Sequence, residues 1–167
     1  MTITLEQVLQ ARDQRATLQK QLLAQYGLPL VSLTVVMPGS EKRNDLSLYI
    51  AQEAVKAIER QFTILTCEKR DLETGYEAIF VVSRDAMQLK HIAVDIEETH
   101  PLGRLFDIDI IDRDGTPISR EDIGVEPRRC IVCGDLSAAC VRSRKHSMQD
   151  VLQVIEKLVV NYKNNYI

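Results

Sequence analysis

Tryptophan is absent from this chain, and its other aromatics are few, five tyrosines and three phenylalanines. A stacking platform for nucleic-acid bases needs such rings in number, which argues against that class of function. Positive charge is also short. Lys and Arg total 21 against 24 Asp and Glu, a net charge of −3, so no overall basic field draws duplex nucleic acid. No apolar run approaches the roughly 20 residues that span a bilayer. The opening Met1-Thr-Ile-Thr-Leu-Glu6 has neither a basic start nor an apolar run, so no signal peptide is expected and the chain reads as cytoplasmic. In that reducing compartment the four cysteines are thiols or metal ligands rather than disulfides.

What is present is ordinary for a folded domain. With 45% hydrophobic and 27% charged residues over 167 positions, one domain covering residues 1–167 is expected. A chain of this length buries an adequate core without staples. Repeats, low-complexity segments and linkers are lacking.

Helical and strand patterns alternate along it. Thr4 and Gln7 make a capping-box pattern ahead of Leu5, Val8, Leu9, Leu18, Leu22, Leu23 and Tyr26, and Gly27 and Pro29 stop that helix. Its middle, Arg12-Asp-Gln-Arg15 and then Gln19, reads on composition as a solvated face. Leu30–Val36 is a β-branched run and a buried strand. A second helix runs from Asn44 or Asp45 to near Phe62. Two strands follow, about Ile64–Arg70 and Glu77–Ser83, as a hairpin with a long loop. Asp85 and Gln88 cap a third helix with an apolar stripe from Ala86 to Ile96, and Lys90 and His91 lie off that stripe. Its acidic end, Asp95-Ile-Glu-Glu98, opposes the helix dipole and reads as surface charge at Asp95 and Glu97. A short helix over Leu136–Lys145 and a last one capped by Ser147 and Asp150 complete the set, with Asn161–Asn165 fraying into solvent. The fold class is α+β, a mixed or antiparallel central sheet flanked by helices.

The chemistry concentrates in His100-Pro-Leu-Gly-Arg-Leu-Phe-Asp-Ile-Asp-Ile-Ile-Asp112. This reads as a strand after a break at Pro101 and Gly103. Side chains two apart in a strand point the same way, so Asp107 and Asp109 share a face. Two close carboxylates repel and are costly to desolvate, and a divalent cation with oxygen ligands, Mg²⁺, removes that cost. On its own the pair equally fits an exposed edge strand with solvated aspartates. Arg104, beside Gly103 at the strand entry, is a candidate cation for a polyphosphate.

Two further stretches carry charge. Met37-Pro-Gly-Ser-Glu-Lys42 follows the first strand, where Gly39 exposes backbone N–H groups and Lys42 adds a cation, although the Walker spacing is missing. Later, Arg128, Arg129, Arg142, Arg144, Lys145 and His146 surround a Cys-x-x-Cys-Gly and a third cysteine. The neutral reading is a basic helix end; the functional one is recognition of phosphates or an acidic partner.

Taken together, the Pro-Gly-x-x-Lys loop, the Gly-Arg-Leu-Phe-Asp-Ile-Asp stretch and the Arg-Ser-Arg-Lys-His-Ser segment resemble the citrate lyase holo-acyl-carrier-protein synthases, the apo-citrate lyase phosphoribosyl-dephospho-coenzyme A transferases. The Arg-x-x-Arg-x-x-x-Gln of the first helix and Glu73-Thr-Gly-Tyr-Glu-Ala78 belong to the same resemblance, with Tyr76 standing where proline is expected. The resemblance implies a cytoplasmic nucleotidyltransferase, with a nucleotidyltransferase-like fold as one option. Its donor would be triphosphoribosyl-dephospho-coenzyme A. Its acceptor would be a serine of the citrate lyase acyl carrier protein, the gamma subunit, and diphosphate would leave. Neither nucleic acid nor membrane is an expected partner. Asp107 and Asp109 would hold Mg²⁺ and, with Arg104, carry catalysis. Lys42, Gly39, Lys90, Gly103, Arg142, Arg144, His146, Arg12 and Arg15 would bind the donor, and His100 or a carboxylate would take the serine proton.

Cys130, Cys133, Cys140 and His146 offer a Cys₃His zinc set, but the second pair is not spaced like a knuckle, and Mg²⁺-served phosphoryl transfer needs no second metal. No stoichiometric zinc is therefore expected. A non-catalytic carrier-binding module and a zinc-binding adaptor remain the alternative functions.

Overall fold

A computed structural model describes residues 2–166, all but the terminal residues of the expected 1–167 domain. The first helix, α1 (Leu5–Tyr26), starts on the expected capping box between Thr4 and Gln7 and ends where Gly27 turns left-handed. Strand β1 (Leu30–Val35) follows, then helix α2 (Asp45–Gln61), capped reciprocally by Asn44 and Ser47. Next come strands β2 (Ile64–Leu72) and β3 (Gly75–Val82), and helix α3 (Ala86–Thr99), capped by Asp85. A 3₁₀ turn at Gly103–Leu105 leads into strand β4 (Phe106–Ile111), and a two-residue strand β5 (Pro117–Ile118) returns beside it. Another 3₁₀ turn, Glu121–Ile123, precedes helices α4 (Ser137–Ser143) and α5 (Met148–Tyr166).

The strands form one antiparallel sheet in the order β2-β3-β1-β4-β5. Its fold class is the expected α+β, with the antiparallel option realised. One face is covered completely. Val31, Leu33, Phe80, Phe106, Ile108 and Ile110 pack there against α2, α3 and the Ile155 and Val159 face of α5. The opposite face is covered only in part. Leu30, Ile79 and Val81 meet Leu18, Leu22, Leu23 and Tyr26 of α1, and that smaller core stops short of Thr34, Glu77 and Asp107. The half left open is where the polar side chains gather.

Four expectations need correction. The β2–β3 hairpin has no long loop: pairing continues to Leu72 opposite Gly75, where φ is 116°. An edge strand tolerates the polar residues that suggested a loop. Glu97 is not surface charge but is buried, accepting the Ile108 N–H at 3.0 Å and pairing with Arg120 at 2.6 Å. It supplies the partner that β5, too short, cannot give β4. Residues 161–165 do not fray, since α5 continues to Tyr166 with Tyr162 packed on His100. Gly103 is not free for a ligand. It is buried against the end of α3, where a Cβ would lie 2.5 Å from the Ile96 carbonyl oxygen, so glycine serves close packing there.

Candidate active site

Two cavities join along Val36, Met37, Lys42 and Val141. The larger, about 630 Å³, is walled by the β1–α2 loop, Arg104, Arg128, the cysteine segment and the start of α5. The smaller, about 550 Å³, lies between α1 and the sheet and contains Arg12, Arg15, Thr34, Glu77 and Asp107.

Strand parity sets the floor. Asp107 stands opposite Thr34 and Asp109 opposite Ser32, all on the α1 side, while Phe106, Ile108 and Ile110 anchor the strand from the other side. The Thr34 hydroxyl donates to Asp107 Oδ2 at 3.2 Å, and Arg128 Nη1 lies 3.4 Å from Oδ1. Arg128 Nη2 also donates to the carbonyls of Arg104 (3.0 Å) and Phe106 (2.9 Å), tying the cysteine segment to the entry of β4. Asp109 lies beyond the cavity lining. Its surface is open to solvent, yet protein mass surrounds it. The two observations describe a carboxylate at the bottom of a concave face. This desolvation, then the neighbouring Asp107 charge, hold its carboxyl above the ordinary range.

The polar middle of α1 is a solvated face only at Arg12, Asp13 and Gln14, which are exposed; Arg15 and Gln19 turn to the sheet. Arg15 pairs with buried Glu77 at 2.7 Å, Glu77 also pairs with Arg70, and Gln19 donates to Ser32 at 3.1 Å. Glu77 reads in sequence only as the start of a strand, and nothing local to it shows that Arg15 and Arg70 meet it.

Cations converge on the joined cavities. Gly39, at φ 80°, makes the turn after β1, and a Cβ there would require the Met148 side chain to move. Lys42 follows, its ammonium donating to the Met37 carbonyl. Burial and then the Arg12 charge push its pKa down. Arg104 bonds the Arg129 carbonyl, and burial followed by the Arg128 and Arg120 charges lowers its pKa too. Unneutralised, crowded cations of this kind suit a polyanion. Arg144 and His146 line the larger cavity, with Arg144 held left-handed at φ 50° as it ends α4.

Other sequence candidates lie elsewhere. Arg142 is exposed on α4 and lines neither cavity. Lys90 is buried on α3, outside both cavities, although its charge reaches Asp109 and Asp122. His100 closes α3. Its Nδ1 accepts the Leu102 N–H at 3.0 Å, its ring meets Phe106 and Tyr162, and burial lowers its pKa. It is a cap and a packing group, remote from the cleft lining.

The family model for apo-citrate lyase phosphoribosyl-dephospho-CoA transferase matches residues 3–162. The chain belongs to that family. As a member of the apo-citrate lyase phosphoribosyl-dephospho-CoA transferases it is a transferase. It is 36% identical over 168 residues to a Vibrio cholerae protein named as a probable transferase of this kind, covering 97% of this chain and 94% of that one. With an Escherichia coli protein named apo-citrate lyase phosphoribosyl-dephospho-CoA transferase, identity is 32% over 162 residues, 94% of this chain and 88% of the other. It is also 40% identical over 165 residues to Haemophilus influenzae Protein CitXG, covering 96% of this chain but only 36% of that longer protein. Among the described residues, no helix is long and apolar enough to cross a membrane.

Proposed function

We propose that this protein transfers the phosphoribosyl-dephospho-coenzyme A group of triphosphoribosyl-dephospho-coenzyme A to a serine of the citrate lyase acyl carrier protein. The observation that carries this reading is the juxtaposition of an uncompensated cation cluster, Lys42, Arg12, Arg104 and Arg144, with the Asp107 carboxylate in one joined cleft. The serine oxygen forms a bond to the phosphorus nearest the ribose. The bond from that phosphorus to the next bridging oxygen breaks, diphosphate leaves with the electron pair, and the serine proton passes to solvent. Lys42, Arg104 and Arg144 neutralise the triphosphate and the charge growing on the departing diphosphate. Gly39 offers backbone close to the same anion. A cytoplasmic location, where donor and reduced thiols coexist, belongs to this reading.

The carboxylate pair suits Mg²⁺. Asp107 and Asp109 project from one strand face and both are accessible to solvent; desolvation, and then the Asp107 charge, raise the Asp109 pKa, a cost that a bound cation would offset. Asp107 and Asp109 would hold the ion, which when bound supplies charge stabilisation to phosphate oxygens. Thr34 and Arg128 orient Asp107 for this task.

The test is intact-mass spectrometry of the apo carrier protein after incubation with this protein, the donor and Mg²⁺. Addition of one phosphoribosyl-dephospho-coenzyme A, with release of one diphosphate, is expected. A carrier of unchanged mass with fully folded transferase would overturn the reading.

A further inference from the structure

On spacing alone, the cysteines argued against a metal. The folded chain changes that balance, because one ligand atom each from Cys130, Cys133, Cys140 and His146 lies within 4.8 Å of every other. We propose that these four residues bind one zinc ion, which fixes the basic wall of the cleft.

The geometry fits a tetrahedral site. Zinc–sulfur bonds of about 2.3 Å place two thiolates on a tetrahedron about 3.8 Å apart. The Sγ atoms of Cys133 and Cys140 are 3.6 Å apart, well beyond the roughly 2.05 Å of a disulfide. Cys130 and Cys133 sit on a tight reversal. The Val132 N–H points at Cys130 Sγ at 3.5 Å, the Gly134 N–H bonds the Cys130 carbonyl at 2.9 Å, and Gly134 takes φ 80° to complete the turn. The second pair is assembled differently. The short α4 brings Cys140 back, buried, and the left-handed Arg144 turns the chain so that His146 returns to the thiols. Spacings of six and five residues therefore close as well as a second knuckle would.

An independent observation points to a ligand. His146 Nε2 is buried with no hydrogen-bond partner, a costly state for a polar nitrogen unless something binds it. Three thiolates and a neutral imidazole around Zn²⁺ leave one negative charge. Lys145 Nζ, 3.7 Å from Cys133 Sγ and paired with Asp135 at 2.6 Å, is placed to balance it. Sulfur donors select a soft or borderline cation over Mg²⁺, so this centre and the Asp107/Asp109 pair do not compete. On binding, the metal replaces the thiol protons, which leave to solvent.

The role is structural. Between the Glu121–Ile123 turn and α4 the described chain contains only an isolated bridge, Arg129 to Leu136, and most of its side chains are exposed. Such a segment has little apolar burial to order it, and a metal cross-link supplies what is missing. It carries Arg128, which holds Asp107, and leads through α4 to Arg144, which lines the cleft.

The test is elemental analysis of the full-length protein, purified without chelator or histidine tag, together with cobalt substitution. One zinc per chain is expected. It should be retained by Cys67→Ser, whose thiol lies on β2, and lost from Cys133→Ser and from His146→Ala. Stoichiometric Co²⁺ added to zinc-free wild-type protein should give intense tetrahedral d–d bands and a thiolate-to-cobalt charge-transfer band. The cobalt experiment stays decisive if a ligand variant fails to fold. Zinc-free wild-type protein that shows no such bands with Co²⁺ would overturn the proposal, as would full zinc retention in both ligand variants. Neither readout uses donor or carrier, so the metal can fail while the transfer reading stands, and the reverse.

Discussion

Asp107 and Asp109 share a strand face yet have different surroundings. Asp107 is held by Thr34 and Arg128, whereas Asp109 stands without an ion pair among the described residues and is desolvated. Its raised folded pKa means that the protonated form favours the fold. That stability is complete below the unfolded value of 3.8 and is lost as pH rises through the higher folded value. Asp109→Asn should therefore melt higher than wild type at neutral pH without Mg²⁺, the advantage shrinking to nothing as pH falls below the unfolded value. Thermal melts across that range check this; a variant less stable than wild type at neutral pH would contradict it. Arg144 makes an opposite test of backbone against charge. A left-handed non-glycine residue costs about 1 kcal/mol, so Arg144→Gly should unfold at slightly higher denaturant while binding the donor more weakly. Arg142→Gly, on the exposed face of α4, should lose helix stability and keep donor affinity. Titration calorimetry and denaturant midpoints on both variants separate the two effects.

Among the elements, those with local signals were legible. Capping residues Thr4, Asn44 and Asp85 each accept a backbone N–H where their pattern placed a helix start, and Gly27 ends α1 as the stop signal implied. What was not legible depended on distant partners. The polar stretch Arg12–Gln19 looks the same in sequence whether it meets water or the Glu77 and Ser32 side chains. The strand β5, two residues long, exists only because β4 lies beside it. The end of α5 is similar: Tyr162 donates to buried Glu53 at 2.9 Å, which Lys56 also holds at 2.7 Å, so the helix does not fray. Burial alone would raise the Glu53 pKa, but these donors outweigh it and lower the value. Tyr162→Phe should cost about 1 kcal/mol at neutral pH. Because the depressed Glu53 pKa stabilises the fold above its unfolded value and ceases to as pH falls through the folded one, that cost should fade in acid. Urea titrations of the two proteins at neutral and acid pH measure it; an equal cost at both would contradict the link to Glu53 ionisation.

At the scale of the whole molecule, the sheet divides the labour. One face is committed to α2, α3 and α5 and supplies the stability. The other is covered by α1 only at the Leu30 end, leaving the Thr34–Asp107 end for a cleft. Three segments distant in sequence meet there: Gly39 and Lys42, Arg104 and Asp107, and Arg128 to His146. Their residue types suggested phosphate chemistry before their positions were known. Their assembly was out of reach, because it depends on sheet order and on α4 folding back. For the same reason Gly103, inside the right stretch, is taken up by packing against α3, and Lys90, buried on α3, lies outside both cavities. We propose that this cleft, with Asp107 on its floor, performs the transfer. Its most direct measurement is the rate of mass increase of the apo carrier protein under saturating donor and Mg²⁺, for wild type and for Asp107→Asn with unchanged circular dichroism. A loss of at least about a hundredfold is expected, about 2.7 kcal/mol of transition-state stabilisation at about 1.36 kcal/mol per tenfold. Turnover by Asp107→Asn within a few-fold of wild type would contradict it.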